Sequence, residues 1–548
     1  MVAIDPESRP RKGIFVSRRT LTIATVACLT LIFLETKSLL SRVSDRQLTP
    51  PAIEFHAPVL RNPQHLEQCR FYMASSAIEA EHSGLGYFAG VPLLPGDMVG
   101  FPDICIFVGD APKKWTHLRS HTFGWSSFFG QYEGSNSRAA CEGFATTFNT
   151  MPNTHVNTQL ESPVAQTNAG LDRATSPGAG AITHHYGMHA RALDNIPAGY
   201  EFTIDYGDWD FDEKKEYVKP RHPVQYLQEN GWCVDYLEIR QSNDPSMGRG
   251  AFAKRRLEKG QIIAPAPLQA FQDRAVFSRV EPEQLYVNYC IQPRDSKMIF
   301  FPYGPAVGLI NHSRTPNVAL QWSKNSMHQA TWLEMSYKDF WKTAWPGGLI
   351  LEVVALREIA PGEELFMDYG EEWEQAWKEH VAQWQPLDSA EDYVYPEEMD
   401  ETDVLRTVEE QKTDPYPDNL ITMCRTPDWE REESNHVIWQ EDNYPFWGEM
   451  MAFCHILARE KGKDGDPVYT VSLNFHKTKG KKSDLAYNES IPLEDQYIDF
   501  KVPRRAIRWI EKPYYDDEHM SNVFRHPIMF PDHLVPDAWR TELHVSQS

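Results

Sequence analysis

The sequence predicts a mainly β protein: two tandem copies of one β fold, followed by a further β-containing region at the C-terminal end. Three observations carry this. An internal repeat runs through the middle of the chain at an offset of 163 to 164 residues, and self-similarity at a fixed spacing marks a duplicated structural unit. Short apolar runs separated by Pro/Gly turns fill both halves of the repeat, as short strands do. No long amphipathic helix is evident inside either half. Composition agrees with a folded chain: of 548 residues, 41% are hydrophobic and 12% aromatic, too many to leave unburied in a disordered polymer.

The amino-terminal region, residues 1–60, contains the run TLTIATVACLTLIFL at 20–34, which is 15 uncharged residues between Arg19 and Glu35. A membrane span needs about 20 apolar residues and a signal h-region about 7 to 15. A short signal-anchor, a cleaved signal or organelle presequence, and a buried helix all fit. Upstream, Arg9, Arg11, Lys12, Arg18 and Arg19 outnumber Asp5 and Glu7, which favours holding that end in the cytosol. The expectation is membrane association through residues 20–34, in a single-pass or organelle-targeted chain, with the side of the membrane left open.

The repeat has three anchors. SGLGYFAGVPLLPGD (83–97) matches MGRGAFAKRRLEKGQ (247–261), with Gly84, Gly86, Phe88, Ala89 and Gly96 opposite Gly248, Gly250, Phe252, Ala253 and Gly260. GFATTFNTMPN (143–153) matches GLINHSRTPN (308–317), with Pro152-Asn153 opposite Pro316-Asn317. NIPAGYEFTIDYGDW (195–209) matches EIAPGEELFMDYGEEW (358–373), with Gly199, Asp205, Tyr206 and Gly207 opposite Gly362, Asp368, Tyr369 and Gly370. The glycines of GxG permit positive φ or close approach to the backbone. LLPGDMV and RRLEKGQII each read as a turn feeding a strand. These anchors define domains at 65–215 and 225–385.

In the second copy, Gly248-Arg249-Gly250 with Phe252-Ala253, Asn311-His312-Ser313 with Pro316-Asn317, and Glu363-Glu364-Leu365 with Asp368-Tyr369-Gly370 together resemble the SET-domain protein lysine methyltransferases. The first copy resembles them more loosely. The resemblance implies two tandem SET-like β folds, each with a pseudoknot of two distant segments. It implies S-adenosyl-L-methionine as cofactor and a protein substrate with an acceptor lysine. Gly248, Arg249, Gly250 and Phe252 would line the methionine portion, Asn311 and His312 would hold the cofactor, and Tyr369 would be the catalytic residue that orients the amine. Such a reaction needs a desolvated, positioned neutral amine. Hydroxyls and carbonyls suit that task better than a metal ion, and no metal site is expected. Tyr286, Tyr289, Tyr303 and Phe366 are candidate channel walls that read equally as core aromatics. A noncatalytic SET-like protein-interaction scaffold is the alternative.

The first copy has Thr147-Phe148-Asn149 opposite Asn311-His312-Ser313, so it reads either as a degenerate partner or as a divergent active copy. An aromatic-rich insertion occupies 321–348. No Cys falls between 290 and 424, so a cysteine cluster cannot close the lysine channel, and the helix-like EEWEQAWKEHVAQW (371–384) is a candidate to do so, its other reading being a helix that packs on the core. The eight Cys show no CxxC and no disulfide framework. Residues 388–414 hold 11 acidic and 2 basic side chains and read as part of a solvated linker, 386–415. A β-containing domain of unknown role follows at 416–548. The formal charge of −23 and the lack of a basic stripe argue against direct nucleic acid binding. Asn311-His312-Ser313 also fits a glycosylation sequon, in tension with luminal placement of a cofactor site.

Overall fold

The computed structural model describes residues 68–543 except 80–82, 109–121, 125–137, 162–163, 166–170, 207–210, 212–214, 279–281, 345–346, 428–433, 441–450, 474–491 and 513–514. Residues 237–367 build a small β fold. Leu237–Gln241 and Arg249–Ala253 form an antiparallel hairpin, turned by Gly248 at φ 69°. Ile262–Phe271 then enters a six-stranded sheet in the order Val318–Trp322, Ile350–Ala355, Ile262–Phe271, Ile299–Pro302, Ile291–Gln292 and Ile528–Met529. Its apolar residues form the largest core cluster, which includes Ala251, Ile263, Phe300, Leu351 and Trp539.

Two short strands far apart in sequence, Asn311–His312 and Phe366–Met367, pair in parallel. This is the crossing expected of a pseudoknot, and the Pro316-Asn317 motif holds it. Asn317, 2% exposed, donates Nδ2–H to the Glu364 carbonyl (2.8 Å) and accepts the Phe366 N–H at Oδ1 (2.7 Å). A buried amide satisfied at both ends specifies one register.

Residues 71–204 carry a hairpin of Phe71–Ser75 with Leu85–Ala89. They also form a sheet in which Met98–Val108 lies between Arg138–Glu142 and His185–Ala192, and a parallel pair of Asn149–Thr150 with Thr203–Ile204.

The C-terminal stretch divides. Leu420–Arg425 and the strands up to Ile507–Glu511 form their own six-stranded sheet and core. Beyond it the chain returns: Ile528–Met529 adds a parallel strand to the sheet of the 237–367 fold. Trp539, fully buried, then stacks 5.8 Å from Phe300. The acid-rich stretch 386–415, expected to be a solvated linker, is instead pinned to the C-terminal sheet. Leu405 is fully buried in that core, and Asp400 accepts the Trp509 N–H (2.9 Å).

Two sequence expectations are corrected. Cys69–Cys233, Cys105–Cys141 and Cys424–Cys454 are disulfides, although their spacing fits no recognisable framework; strand pairing brings the partners together. Membrane association through a spanning helix and a single-pass topology also fail as expectations. Among the described residues no helix is long and apolar enough to cross a membrane, and the longest, Glu371–Gln383, is a polar helix of 13 residues. Residues 20–34 lie outside the described residues.

Candidate functional site

The glycine-rich turn, the Asn-His strand and the strand end bearing Tyr369 meet around one buried carboxylate. Glu364, 2% exposed, accepts from Ser242 Oγ (2.7 Å), Asn243 N–H (3.0 Å) and Asn311 Nδ2 (3.1 Å). Asn311 Nδ2 also donates to the Arg249 carbonyl (3.0 Å). Gly250 is required by this network, since a Cβ there would stand 2.3 Å from Glu364 Oε1.

The pseudoknot then brings His312 to Tyr369. The Tyr369 N–H donates to His312 Nδ1 (3.0 Å), and Tyr369 Oη donates to the Ile310 carbonyl (2.7 Å). Burial lowers the His312 pKa below its usual value, against the pull of Asp368 and Glu374, which keeps Nδ1 an acceptor. Burial pushes the Tyr369 hydroxyl well above its usual range, with Tyr289 and Glu142 adding to the shift. The hydroxyl therefore stays protonated at neutral pH, spends its proton on Ile310 and presents lone pairs. A neutral hydroxyl with spare acceptor capacity can hold an amine without titrating.

Aromatic rings wall the site. Trp373 lies edge-on to Tyr369 (4.9 Å) and 5.1 Å from His312. Trp377 stacks on Trp373 at 6.0 Å, and Phe524 contacts both, at 5.6 and 5.0 Å. The Met529 N–H donates to the Tyr369 carbonyl (2.9 Å), and a Cβ on Gly370 would meet Met529 Cβ at 2.6 Å. The helix 371–383 thus flanks the site, together with the segment 524–529, which sequence reading had left in a remote domain.

The remaining predicted residues sit around this centre. Phe252 is buried, with the Arg240 guanidinium 3.9 Å from its ring, and it braces the strand that carries Gly250. The buried Arg249 side chain runs to the other sheet, where Nη2 donates to the Thr183 carbonyl (2.7 Å) and the guanidinium stands 4.1 Å from the Tyr186 ring. Tyr286 is a core residue, stacked on Phe301 at 4.4 Å. Tyr303 is buried, and the Tyr289 hydroxyl accepts the Thr183 N–H (3.0 Å).

Glu142 was missed. It reaches from the strand Arg138–Glu142 to accept the Gly308 N–H, three residues before Asn311. Burial raises its pKa well above the carboxylate range. Its only sequence signal was an acid at the end of an apolar strand.

Residues 248–370 match the family model of the SET domain. This segment is a SET domain. That fold is the one used by S-adenosyl-L-methionine-dependent protein lysine methyltransferases, and the match supports a methyltransferase activity with S-adenosyl-L-methionine as the expected cofactor. No curated protein matches the chain.

Among solved structures the chain is similar to a Plasmodium falciparum protein provisionally named a histone methyltransferase. Identity there is 20%, covering 25% of this chain and 96% of that one, with a TM-score of 0.18. It is also similar to an active polycomb repressive complex 2 in the basal state (18% identity, 28% and 17% covered, TM-score 0.19). A humanized Chaetomium thermophilum polycomb repressive complex 2 gives 18% identity, 25% and 15% covered, and a TM-score of 0.18. The chain spans under a fifth of the polycomb chains it matches, and the assignment rests on the family match.

The residues present fit the cofactor. With Asn311 Nδ2 and His312 Nδ1 engaged inside the protein, Asn311 Oδ1 remains able to accept a hydrogen bond and the His312 ring lies beside Trp373. An amide oxygen suits the ammonium of an amino acid moiety, and a ring nitrogen beside Trp373 suits a heterocycle.

Proposed function

We propose that the chain transfers methyl groups to a protein lysine with Tyr369 as the residue that positions the amine. In this reading Asn311, His312 and the turn Gly248-Arg249-Gly250 hold S-adenosyl-L-methionine, and Phe252 supports that turn. The observation that carries it is the hydrogen bond from Tyr369 N–H to His312 Nδ1, which joins the two segments required at one site. The cofactor supplies a methyl group on a sulfonium. The protein's part is to strip water from the amine between aromatic rings, accept its hydrogens on Tyr369 Oη and favour its neutral form by burial.

The direct test on the full chain is binding of the cofactor by calorimetry, with methyl transfer from labelled cofactor to lysine-bearing proteins. Binding that is lost in Asn311→Ala supports the reading. Absence of binding by the folded wild type rejects it and leaves a noncatalytic scaffold.

The reading extends to a second, SET-like fold at 65–215, preceding the domain at 225–385. The support is residue by residue. Glu201 accepts from Ser76 Oγ, Ala77 N–H and Asn149 Nδ2, as Glu364 does from Ser242, Asn243 and Asn311. A Cβ on Gly86 would stand 2.3 Å from Glu201 Oε1. Tyr206 Oη donates to the Phe148 carbonyl (2.6 Å) and its N–H to Thr150 Oγ1 (3.3 Å). Asn157 accepts the Thr203 N–H (2.9 Å) and donates to the Glu201 carbonyl (2.7 Å), the task of Asn317. Cys69 and Cys233, 164 residues apart, sit at the repeat offset.

On this reading the sequence alignment shifts. Asn149-Thr150, not Thr147-Phe148-Asn149, stands opposite Asn311-His312, and Asn157, not Asn153, stands opposite Asn317. The first copy therefore keeps the asparagine and replaces the histidine with a threonine. We read it as the noncatalytic partner that supplies Glu142 to the active copy.

A further inference from the structure

Away from the methyl-transfer site, three parts of the chain bring titratable groups to one buried place. His184 and His185 open the strand His185–Ala192, Glu511 ends the strand Ile507–Glu511, and Asp516, Asp517 and Glu518 lead toward Phe524. His184 and His185 are each 5% exposed, Glu518 4%, and Asp516 and Asp517 1%. Neighbours on an extended strand point to opposite faces, yet these two imidazoles lie 4.1 Å apart, centre to centre. One nitrogen from each and one oxygen of Glu518 all fall within 4.8 Å of one another, and His184, Glu511 and Asp516 form a second such group.

Not every polar atom of this cluster is satisfied. Four carboxylates, Glu511, Asp516, Asp517 and Glu518, share this interior. Arg173 pairs with Asp517, but Arg525 spends Nη2 on the backbone carbonyl of Glu518 (2.6 Å). Asp516 Oδ2 and Glu518 Oε1 are buried without a hydrogen bond, a costly condition for a carboxylate. His519 Nδ1 holds Asp516 Oδ1 at 2.5 Å, and Glu511 Oε2 stands 2.9 Å from His184 Nε2, although both nitrogens of His184 are buried without a well-aligned hydrogen bond. A carboxylate orienting one imidazole nitrogen while the other faces a metal is a recurrent arrangement.

We propose that His184, His185 and Glu518 bind a divalent transition metal, zinc by ligand type, with Asp516 or Glu511 in reach of the same ion. Imidazole and carboxylate are ordinary zinc donors, and bonds of about 2.0–2.2 Å place tetrahedral ligands roughly 3.4 Å apart, so the groups draw together on binding. Its burial makes the site structural. It ties the first copy and the C-terminal sheet to the segment whose Phe524 and Met529 close the methyl-transfer site.

The test uses the full chain, stripped with a chelator and titrated with Zn²⁺, with bound metal counted by elemental analysis and stability read by thermal melting. One zinc per chain and a rise in Tm are expected, because a ligand of the native state stabilises it by mass action. Co²⁺ should give the visible absorption of a four-coordinate nitrogen–oxygen site. Glu518→Gln, which keeps the side-chain volume, should weaken Zn²⁺ binding by more than about 100-fold. If that variant does not fold, the cobalt spectrum of the wild type decides alone. A stripped, folded chain that takes up no metal and shows no thermal shift, or an unchanged affinity in folded Glu518→Gln, overturns the site in favour of an ion-pair and proton network.

Discussion

Tyr369 and Tyr206 make like hydrogen bonds to backbone carbonyls, and a pair of single-atom deletions separates structure from chemistry. Tyr369 Oη donates to Ile310 at 2.7 Å and Tyr206 Oη to Phe148 at 2.6 Å. Replacing either with Phe keeps the ring and removes one hydrogen bond, worth about 1 kcal/mol net. The loss should be smaller at Tyr206, which is 48% exposed, because water then satisfies the orphaned carbonyl. Thermal melting should therefore show Tm lower by a few degrees at most in both, roughly 2–4 °C for a domain of this size. Activity should split. Tyr369→Phe also removes the acceptor placed for the amine, and loss of one preorganised polar group at a reacting centre costs about 10²–10³ in rate. Tyr206→Phe should leave the rate within about twofold of wild type, since nothing at that position touches the reacting amine. The assay is methyl transfer from labelled cofactor under saturating cofactor, with cofactor affinity measured separately by calorimetry. Equal rate losses in both variants, or full activity in Tyr369→Phe, would refute the assignment of Tyr369. A fall in cofactor affinity matching the fall in rate would move Tyr369 from the amine to the cofactor.

Further outcomes follow from the same geometry. Glu364→Ala strands the donors of Ser242, Asn243 and Asn311, so denaturant melts should show a loss of about 3–5 kcal/mol, with cofactor binding weakened through Asn311; Glu364→Gln should retain part of both. The Glu142 pKa is raised by burial, so its contribution is present below its unfolded pKa and lost as pH rises through the folded value. The Tm of Glu142→Gln should therefore rise relative to wild type between pH 5 and pH 8, and a pH-independent difference would show that Glu142 is ionised when folded. Reduction of Cys69–Cys233, which closes a loop of separation 164, should cost up to about 5 kcal/mol by chain entropy, read as the melting difference between wild type and Cys233→Ser.

Much of the site was legible because its parts are local strings. The glycine turn at 248–250, Asn311-His312 and Tyr369 each need particular residue types in a row, and they were found in the right order. The repeated strings were equally legible in sequence, but which residues make like contacts was not. Pro152-Asn153 looks like Pro316-Asn317 in sequence, whereas the amide that bridges the crossing strands is Asn157. Loop length between the anchors differs, and only the hydrogen-bond partner identifies the equivalent residue.

The chain's order of residues by itself determined the β character and the cluster of strings that mark a SET domain, because glycine φ values, turn residues and apolar alternation act over a few positions. Tertiary structure alone decided which distant groups became neighbours. It placed Glu142 behind the active copy, returned residues 524–539 to a sheet begun more than two hundred residues earlier, joined three cysteine pairs and gathered His184, His185 and Glu518. Contacts between segments far apart depend on how whole sheets pack, and packing reads volume and charge in three dimensions rather than spacing along the chain.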